Sequence, residues 1–407
     1  MPILDVASIR AQFPVLERSV HGKPLVYLDS AATTPKPQAV IDAIDAHYSM
    51  GTANVHRAAH ELSVEATEAF ESARRRIGEF IKADSSNEII FTRSATEAIN
   101  LVANAWGTSS LEQGDEILIT AMEHHANIVP WQLLQERLGI ELKVIPIDGD
   151  GMLSLDDVKS LLGSRTRLLS ATWVSNATGT VNPIHEMVAM AREAGVATLV
   201  DATQALPHQP VDVQSLGSDF IVFSGHKMYG PTGIGCLWGR EAMLEAMPPW
   251  QGGGDMIEQV TFDKTTFNRL PWKFEAGTPH IAGAIGLGAA VDWLSNLGME
   301  AVAASEAALV EKLAATLDAI PRVDLIGRPT HRAAAVSFMV EGLHPHDVGT
   351  MLDQHGVAIR TGHHCAQPTM QHFNVPATAR ASLGVFNDDS DIEALDKALR
   401  RVIEVFG

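Results

Sequence analysis

A lysine after a strand-like segment is the first residue whose type and position suggest chemistry. Residues 219–224 read Asp-Phe-Ile-Val-Phe-Ser, and Gly225, His226 and Lys227 follow directly. An amine at the buried end of a strand loses solvation, which lowers its pKa and makes it a candidate nucleophile. Taken alone, Lys227 is better interpreted as a surface lysine, so the chemical interpretation depends on its neighbours.

A carboxylate ends the preceding strand-like segment, residues 197–201. Asp201 lies 26 residues before Lys227, about the length of one crossover helix and one strand. An Asp that pairs with a pyridinium nitrogen, beside a lysine that forms a Schiff base, is the arrangement that enzymes of pyridoxal 5'-phosphate (PLP) require. A turn-capping role also explains Asp201, but its spacing from Lys227 favours the cofactor interpretation.

The segment after strand-like residues 88–92 offers a place for a phosphate group. Ser94 and Glu97 have the spacing of a capping box, which alone explains both residues. A helix that begins there also presents free amides and a positive dipole end to an anion. Thr96 is the candidate hydroxyl contact.

Two histidines follow another strand-like segment, residues 116–120. Adjacent side chains point in different directions, so His124 and His125 make a poor chelating pair. One of the rings is suited to stacking on a planar cofactor, and a capping or packing role explains them equally well.

The most unusual segment is 360–368, which reads Arg-Thr-Gly-His-His-Cys-Ala-Gln-Pro. No second Cys/His pair has the spacing of a zinc site, so we predict no metal centre. Nearby His and Arg side chains favour the thiolate of Cys365, whereas Cys236 lies in an apolar run typical of a strand. We therefore predict a reactive Cys365 and an inert Cys236.

Alternating strand-like and helical patterns must position these residues. Residues 25–28, 142–147 and 167–172 are also strand-like, and residues 62–81 repeat apolar side chains at helical spacing. The alternation predicts an α/β fold with a mostly parallel sheet, in which the carboxyl ends of the strands meet at one crevice.

The pattern changes after about residue 295 and predicts a smaller α+β domain. Helices are expected at 298–320, 346–354 and 391–405, and strands at 333–340, 357–360 and 380–385. We divide the chain into an N-terminal segment that packs with the small domain (1–22), a large cofactor-binding domain (23–295) and a small domain with the cysteine loop (296–407).

Composition excludes several classes of protein. The chain has 407 residues, of which 46% are hydrophobic, and this excludes a disordered chain. Its net charge of −19 argues against binding to nucleic acid or anionic lipid. We find no secretory signal at Met1–Asp5 and no apolar run long enough for a bilayer. Two cysteines fit a reducing compartment, so we expect a cytoplasmic protein.

Three motifs together resemble the class V PLP-dependent cysteine desulfurases: residues 201–204 (Asp-Ala-Thr-Gln), 224–227 (Ser-Gly-His-Lys) and 360–365. The SUF-type (SufS-like, group II) branch, which includes selenocysteine lyase activity, is the most similar. Further matches at residues 54–57, 123–128 and 274–279 extend the resemblance over essentially the whole chain. It implies PLP-dependent transferase fold type I, with a mainly parallel seven-stranded sheet in the large domain.

The resemblance also implies a cofactor site. Lys227 would carry the PLP and move the proton at the substrate Cα, and Asp201 would bond the pyridine nitrogen. Gln204 would contact the phenolic oxygen, and the His124 ring would stack on the pyridine. The residues that would contact the phosphate, the last of them from the second subunit of a homodimer, are Thr96, Ser224, His226 and Thr278.

The substrate site follows from the same resemblance. Asn176 and Arg380 would bind the substrate carboxylate, with Arg380 acting as a bidentate fork. Cys365 matches the nucleophile that forms a persulfide, and His56 and Arg360 would lie near it.

The implied reaction converts L-cysteine to L-alanine and leaves the sulfur on Cys365. An acceptor protein of SufE or SufU type would take the sulfur for iron–sulfur cluster assembly. The alternative is a selenocysteine lyase as the main activity. Aminotransferases and kynureninases of the same class need no cysteine in the late loop, and a non-catalytic relative would lack Lys227.

Overall fold

The computed structural model describes residues 4–57 and 59–406. Met1 to Ile3, where the search for a secretory signal begins, lie outside the described residues, as do Ala58 and Gly407. The outer limits of the predicted N-terminal segment and small domain therefore also lie outside them.

A seven-stranded sheet forms the centre of the part of the chain before residue 295, and its strands, numbered along the chain and given at the end of this paragraph, have the order β1-β7-β6-β5-β4-β2-β3. Strand β7 is antiparallel to β1 and β6, and the other neighbouring pairs are parallel. This confirms the predicted fold class. The strands are β1 Ile89–Thr92, β2 Glu116–Thr120, β3 Glu141–Ile145, β4 Thr166–Thr172, β5 Ala197–Asp201, β6 Phe220–Ser224 and β7 Gly235–Gly239.

Helices cover both faces of this sheet, because its strands are apolar on both sides. Ile221 and Phe223 of β6 pack in one core cluster with the helices at 61–80, 184–193 and 281–297. Phe220 and Val222 pack in another with the helices at 95–102 and 129–138. The helices are α1 Gln38–Met50, α2 Glu61–Phe80, α3 Ala95–Val102, α4 Val129–Leu138, α5 Leu155–Leu161, α6 Ile184–Glu193 and α7 Ile281–Leu297.

A glycine lets β7 approach the start of α3. A Cβ atom at Gly235 would lie 2.7 Å from the Cα of Ser94 and 2.7 Å from the carbonyl oxygen of Phe223. Any side chain at this position would push the N-terminus of α3 away from β6. The close approach therefore helps to place the first turn of α3 beside the end of β6.

The C-terminal part contains a four-stranded antiparallel sheet with the order β8-β9-β11-β10. Its strands and helices are β8 Val323–Ile326, β9 Ala335–Val340, β10 Arg360–Gly362, β11 Thr378–Ser382, α8 Met299–Asp318, α9 Pro345–Asp353, α10 Gln367–His372 and α11 Asp389–Phe406.

Shorter elements connect these parts. Helical turns lie at Val6–Arg10, Val213–Leu216 and Glu241–Ala246, and α3 continues as a π-helical turn over Ala103–Gly107. Two-stranded pairs form between Ser19–Val20 and Lys23–Pro24, and between Ile257–Val260 and Thr265–Phe267. No helix among the described residues is both long and apolar enough to cross a bilayer.

Three strand predictions are wrong in detail. Residues 357–360 are not one strand, because Val357–Ala358 and Arg360–Gly362 belong to different sheets. Residues 25–28 do not join the large sheet, because Val26–Tyr27 pairs in parallel with Val357–Ala358 of the C-terminal part. The strand predicted at 380–385 is Thr378–Ser382, since Leu383 and the residues after it leave the sheet as a buried loop.

The N-terminal residues contact both parts of the chain. Phe13 packs in the core of the large sheet and lies 5.1 Å from Phe386, centroid to centroid. Arg10 makes an ion pair with Asp391 of α11 at 3.1 Å. The division at residues 22 and 295 stays a prediction.

Candidate active site

A cavity of about 180 Å³ opens at the carboxyl ends of the central strands, beside the four-stranded sheet. Its walls come from both parts of the chain, as the strand-end argument predicts. The predicted site residues that line it are Thr96, His124, Asn176, Asp201, Gln204, Ser224, His226, Lys227, Arg360, Cys365 and Arg380.

Lys227 and Asp201 face the same cavity from adjacent strand ends. Burial lowers the pKa of the Lys227 amine to about 8, with Arg380 and Arg360 adding to the effect and Asp201 opposing it. Burial raises the pKa of Asp201, against a hydrogen bond from the Thr203 amide at 3.0 Å to Oδ1. The second carboxylate oxygen of Asp201 is left for a positively charged ring nitrogen.

The start of α3 offers an anion site beside Ser224. The Ala95 amide donates to the Ser224 hydroxyl at 2.9 Å, and the Glu97 amide donates to the Ser94 hydroxyl at 3.3 Å. The amide and hydroxyl of Thr96 remain for a phosphate at this positive helix end. Because Ser224 accepts from Ala95, its own proton is free to be donated to the same anion.

The predicted capping box forms only in part. Ser94 caps the helix as expected, but the Glu97 carboxylate bonds the amide and guanidinium of Arg93 instead of the Ser94 amide. The chain therefore uses Glu97 to fix the residue before the cap.

The His124 ring has one defined tautomer. Its Nδ1 accepts a hydrogen bond from the Ala126 amide at 3.0 Å, so Nε2 carries the proton in the neutral ring. Burial, with the positive charge of Lys227 in second place, lowers the pKa of His124 to about 3. A neutral ring of fixed orientation is suited to stacking on a planar cofactor.

Two arginines form the opposite wall. Arg360 and Arg380 are paired residues of β10 and β11, so their side chains lie on the same face. Arg380 donates to the backbone oxygen of Asn176 at 2.6 Å and to Asp29 at 3.2 Å, while its buried Nε has no partner among the described residues. Two neighbouring cations, with Asp29 as the one carboxylate paired with them among the described residues, suit an anionic group.

The loop that carries Cys365 is fixed on the His124–Asn127 turn. The Cys365 carbonyl accepts from the His125 amide at 2.7 Å, and the His125 ring accepts from the Gln367 amide at 3.0 Å. His364 and Cys365 both have a left-handed backbone, with φ of 53° and 55°. This unfavourable backbone turns the half-buried Cys365 toward the cavity, and it is held by those contacts.

Asn176 uses its side chain on the same loop. Its Nδ2 donates to the carbonyl of His364 at 2.5 Å, and the His364 ring lies 2.7 Å from the Thr378 hydroxyl. Asn176 therefore links the wall that carries Arg380 to the cysteine loop.

Two predicted site residues lie elsewhere. The His56 ring bonds Glu71 at 2.8 Å and packs edge-on against Trp272, outside the cavity. Thr278 is exposed and lines a second pocket of about 460 Å³ near Arg93 and His280. Neither residue contributes to the cavity of its own chain.

Sequence reasoning missed Asp29 and His364. Asp29 directly follows the strand-like residues 25–28, so it carried the same strand-end signal that singled out Asp201. His364 was treated only as a neighbour of Cys365, although it is almost fully buried and its pKa is lowered to about 2 by burial. Within the described ranges no three His, Cys, Asp or Glu side chains are grouped as a metal would require.

The donor set of the cavity fits PLP. A carboxylate, an amine with a lowered pKa, a neutral histidine and a helix N-terminus match the pyridine nitrogen, aldehyde, ring face and phosphate of the cofactor.

Comparisons with known proteins agree with this geometry. The family model "Aminotransferase class-V" matches residues 26–395. A cysteine desulfurase of Yersinia pseudotuberculosis is 51% identical over 403 residues, which are 99% of this chain and 99% of that protein. The crystal structure of the cysteine desulfurase CsdA (S-sulfonic acid) from Escherichia coli has a TM-score of 0.92 and 38% identity, over 99% of this chain and 100% of that one.

A further solved structure contains the cofactor. It is a C-DES mutant with glycine covalently linked to PLP, with a TM-score of 0.84 and 25% identity over 96% of this chain and 98% of that one. The chain belongs to the class V aminotransferase family. Its fold, its cavity and these relatives define a PLP-dependent enzyme of the cysteine desulfurase group.

Proposed function

We propose that this protein is a SUF-type, group II cysteine desulfurase that converts L-cysteine to L-alanine and retains the sulfur as a persulfide on Cys365. The observation that carries this proposal is that Cys365 lines the same cavity as Lys227 and Asp201. An aminotransferase needs the lysine and the aspartate, but only a reaction that captures sulfur needs the cysteine.

Lys227 acts as the base in this proposal. Bound PLP withdraws electrons from the substrate Cα and so acidifies its proton. With its pKa lowered to about 8, about a tenth of the Lys227 amine is neutral at pH 7 and able to accept that proton, far more than for an exposed lysine. Asp201 keeps a positive charge on the cofactor's ring nitrogen, and His124 covers one face of the ring and excludes water.

The substrate is held through its carboxylate. Arg380 lines the cavity and offers its positive charge to that carboxylate, and Arg360 adds a second positive charge from the adjacent strand. Asn176 completes this wall once its amide leaves the His364 carbonyl, which would couple substrate binding to the cysteine loop.

Sulfur transfer needs no further reactant beyond the substrate and Cys365. The Cys365 thiolate attacks the substrate sulfur, the Cβ–S bond breaks, and its electron pair stays on the carbon side, which takes up a proton to give alanine. Cys365 then carries the persulfide. We place this reaction in the cytoplasm, with an acceptor protein of SufE or SufU type that takes the sulfur for iron–sulfur cluster assembly.

We also propose a homodimer in which Thr278 of one subunit contacts the phosphate bound by the other. The exposed position of Thr278, outside its own cavity, supports this arrangement.

The test compares L-cysteine with L-selenocysteine, with and without a SufE-type or SufU-type acceptor. We expect alanine from both, a persulfide on Cys365 only with cysteine, and faster cysteine turnover with the acceptor. If selenocysteine yields alanine and cysteine does not, the selenocysteine lyase is favoured. Consumption of cysteine without formation of alanine would contradict both activities.

A further inference from the structure

The segment of residues 29–36, here called the strap, contacts several parts of the cavity. It connects the strand pair at Val26–Tyr27 with α1. Asp29 accepts a hydrogen bond from Arg380 at 3.2 Å, and the Ala31 carbonyl accepts one from Gln204 at 2.7 Å. The first half of the strap therefore supports two residues of the proposed site.

The second half of the strap surrounds the peptide group that precedes Lys227. The His226 carbonyl oxygen lies 2.8 Å from the Lys36 ammonium, 3.0 Å from the Thr34 amide and 3.1 Å from each of the Thr33 and Thr34 hydroxyls. A carbonyl oxygen has two lone pairs, which these donors share, and the Lys36 ammonium is the nearest of them. The position of this peptide is thus fixed from several directions.

The strap also holds the backbone after Lys227. The Tyr229 amide donates to the Thr34 hydroxyl at 2.9 Å, and the Tyr229 hydroxyl accepts from the Val385 amide at 3.0 Å. Tyr229 has a φ of 65°, in the left-handed region that a non-glycine residue adopts only when its surroundings hold it there. Lys227 therefore lies between two constrained peptide groups.

Lys36 has an unusual environment for a lysine. Within the described part of the chain no carboxylate lies within salt-bridge distance of it, and burial lowers its pKa to about 7. A half-buried ammonium without a counter-charge is costly, which argues for a specific use. Its amine donates to the His226 carbonyl whether it is charged or neutral.

We propose that Lys36 is a positioning residue for Lys227. By holding the His226 carbonyl together with Thr33 and Thr34, it fixes the direction in which the Lys227 side chain leaves the backbone and enters the cavity. It also fixes the backbone of His226, the predicted phosphate contact. This inference rests on the proposed assignment of Lys227 as the lysine that carries PLP.

The test uses the holoenzyme and three variants. Lys36→Met removes the donor at nearly constant length, Lys36→Arg keeps a donor and a charge, and Thr33→Val removes a second donor to the same carbonyl. The control is Lys82→Met, which removes an exposed ammonium paired with Asp212. The measurements are PLP release without amino acid, the visible spectrum of the bound cofactor, and kcat and KM for L-cysteine.

Loss of one hydrogen bond from a charged donor predicts about tenfold faster PLP release and an about tenfold lower kcat in Lys36→Met. The KM should change less than about twofold, because Arg360 and Arg380 are untouched. Lys36→Arg should restore most of the loss, Thr33→Val should show a smaller loss in the same direction, and Lys82→Met should match the wild type. Wild-type release, spectrum and kcat in Lys36→Met overturn the proposal, even if its thermal stability is lower.

Two further results decide the remaining cases. If Lys36→Met does not fold, Thr33→Val decides, and wild-type behaviour of that variant overturns the proposal. Borohydride reduction followed by peptide mass spectrometry shows which lysine carries PLP. PLP on another lysine contradicts the proposed site itself, whereas PLP on Lys227 with an unaffected Lys36→Met contradicts the role of Lys36 alone.

Discussion

At the scale of single residues, the chemistry depends on how burial changes the basicity of Lys227. Its pKa falls from 10.5 to about 8, so the amine is protonated below that pH and neutral above it. Only the neutral amine attacks the PLP aldehyde. Capture of PLP by the apoenzyme should therefore accelerate as the pH rises and level off above about pH 8, as followed by the visible absorbance.

A capture rate that is independent of pH between about 6 and 9 would contradict this pKa.

Lys227→Ala should bind PLP without a covalent bond and lose turnover, while its circular dichroism matches that of the wild type. Retained turnover would contradict the assignment of Lys227.

The two cysteines provide a matched comparison. Cys365→Ala should still bind L-cysteine but release almost no alanine from it, and selenocysteine turnover should survive better because selenium leaves carbon more readily. Cys236 is fully buried in β7, and burial strongly raises the pKa of its thiol. Cys236→Ala should keep its activity and lose about 1 kcal/mol of stability. Mass spectrometry of both variants shows which of them still forms a persulfide with L-cysteine. A persulfide on the Cys365→Ala protein would refute the mechanism.

Residue types and spacing predicted much of this cavity, but not its hydrogen bonds. Lys227, Asp201 and Cys365 stand out because a titratable group follows a strand or lies in a polar loop. No such pattern indicates that the Asn176 amide bonds the His364 carbonyl, since those residues are far apart in the chain. Thr278 and His56 also lie outside the cavity, because a sequence motif does not specify which cavity its side chains line.

At the scale of elements, Glu123 connects the ends of two strands beneath the site. Its carboxylate accepts from the Thr120 hydroxyl at 2.6 Å, the Asn127 amide at 2.7 Å and the Thr172 backbone amide at 2.8 Å. These bonds join the end of β2, the turn that carries His124, and the end of β4. Burial raises the pKa of Glu123 to about 7.

Glu123→Gln should destabilise the protein, although it removes a buried charge. The Asn127 oxygen already accepts from Trp131 and Ser170, so its amide cannot turn over, and the new NH₂ group would face another NH₂ group. We expect a loss of about 1–3 kcal/mol and a changed spectrum of bound PLP as His124 shifts. Exposed Glu136→Gln is the control for thermal unfolding.

The pH dependence gives a second check on Glu123. Its folded pKa lies above the unfolded value of 4.5, so ionisation of the buried carboxylate costs stability progressively as the pH rises from about 4.5 to about 7. The glutamine variant has no such cost. The difference in unfolding free energy between the two proteins should therefore shrink over that range, and a constant difference would contradict the raised pKa.

Local patterns predicted most elements, because the period of apolar residues differs between helix and strand. The helix expected at 62–81 is Glu61–Phe80, and that expected at 298–320 is Met299–Asp318. Pairing is not encoded locally in this way. Residues 25–28 are strand-like in sequence, yet their partner, Val357–Ala358, lies more than 300 residues further along the chain.

At the scale of the whole molecule, the cavity of the single chain is lined by every residue predicted to contact the cofactor except Thr278. This threonine is exposed and lines a separate pocket, so its hydroxyl does not complete the cavity of its own chain. In the proposed homodimer, each site would combine Lys227 of one subunit with Thr278 of the other.

Hybrid dimers test this arrangement directly. Lys227→Ala subunits, expected to be inactive as a homodimer, are mixed with Thr278→Val subunits, expected to be about tenfold less active, and the hybrid is purified through different affinity tags. If Thr278 acts across the interface, one site of the hybrid carries both defects and the other carries neither, because its Lys227 and Thr278 come from opposite subunits. The hybrid should then recover about half of the wild-type activity per dimer, whereas Thr278 acting in its own subunit would leave each site with one defect and no recovery.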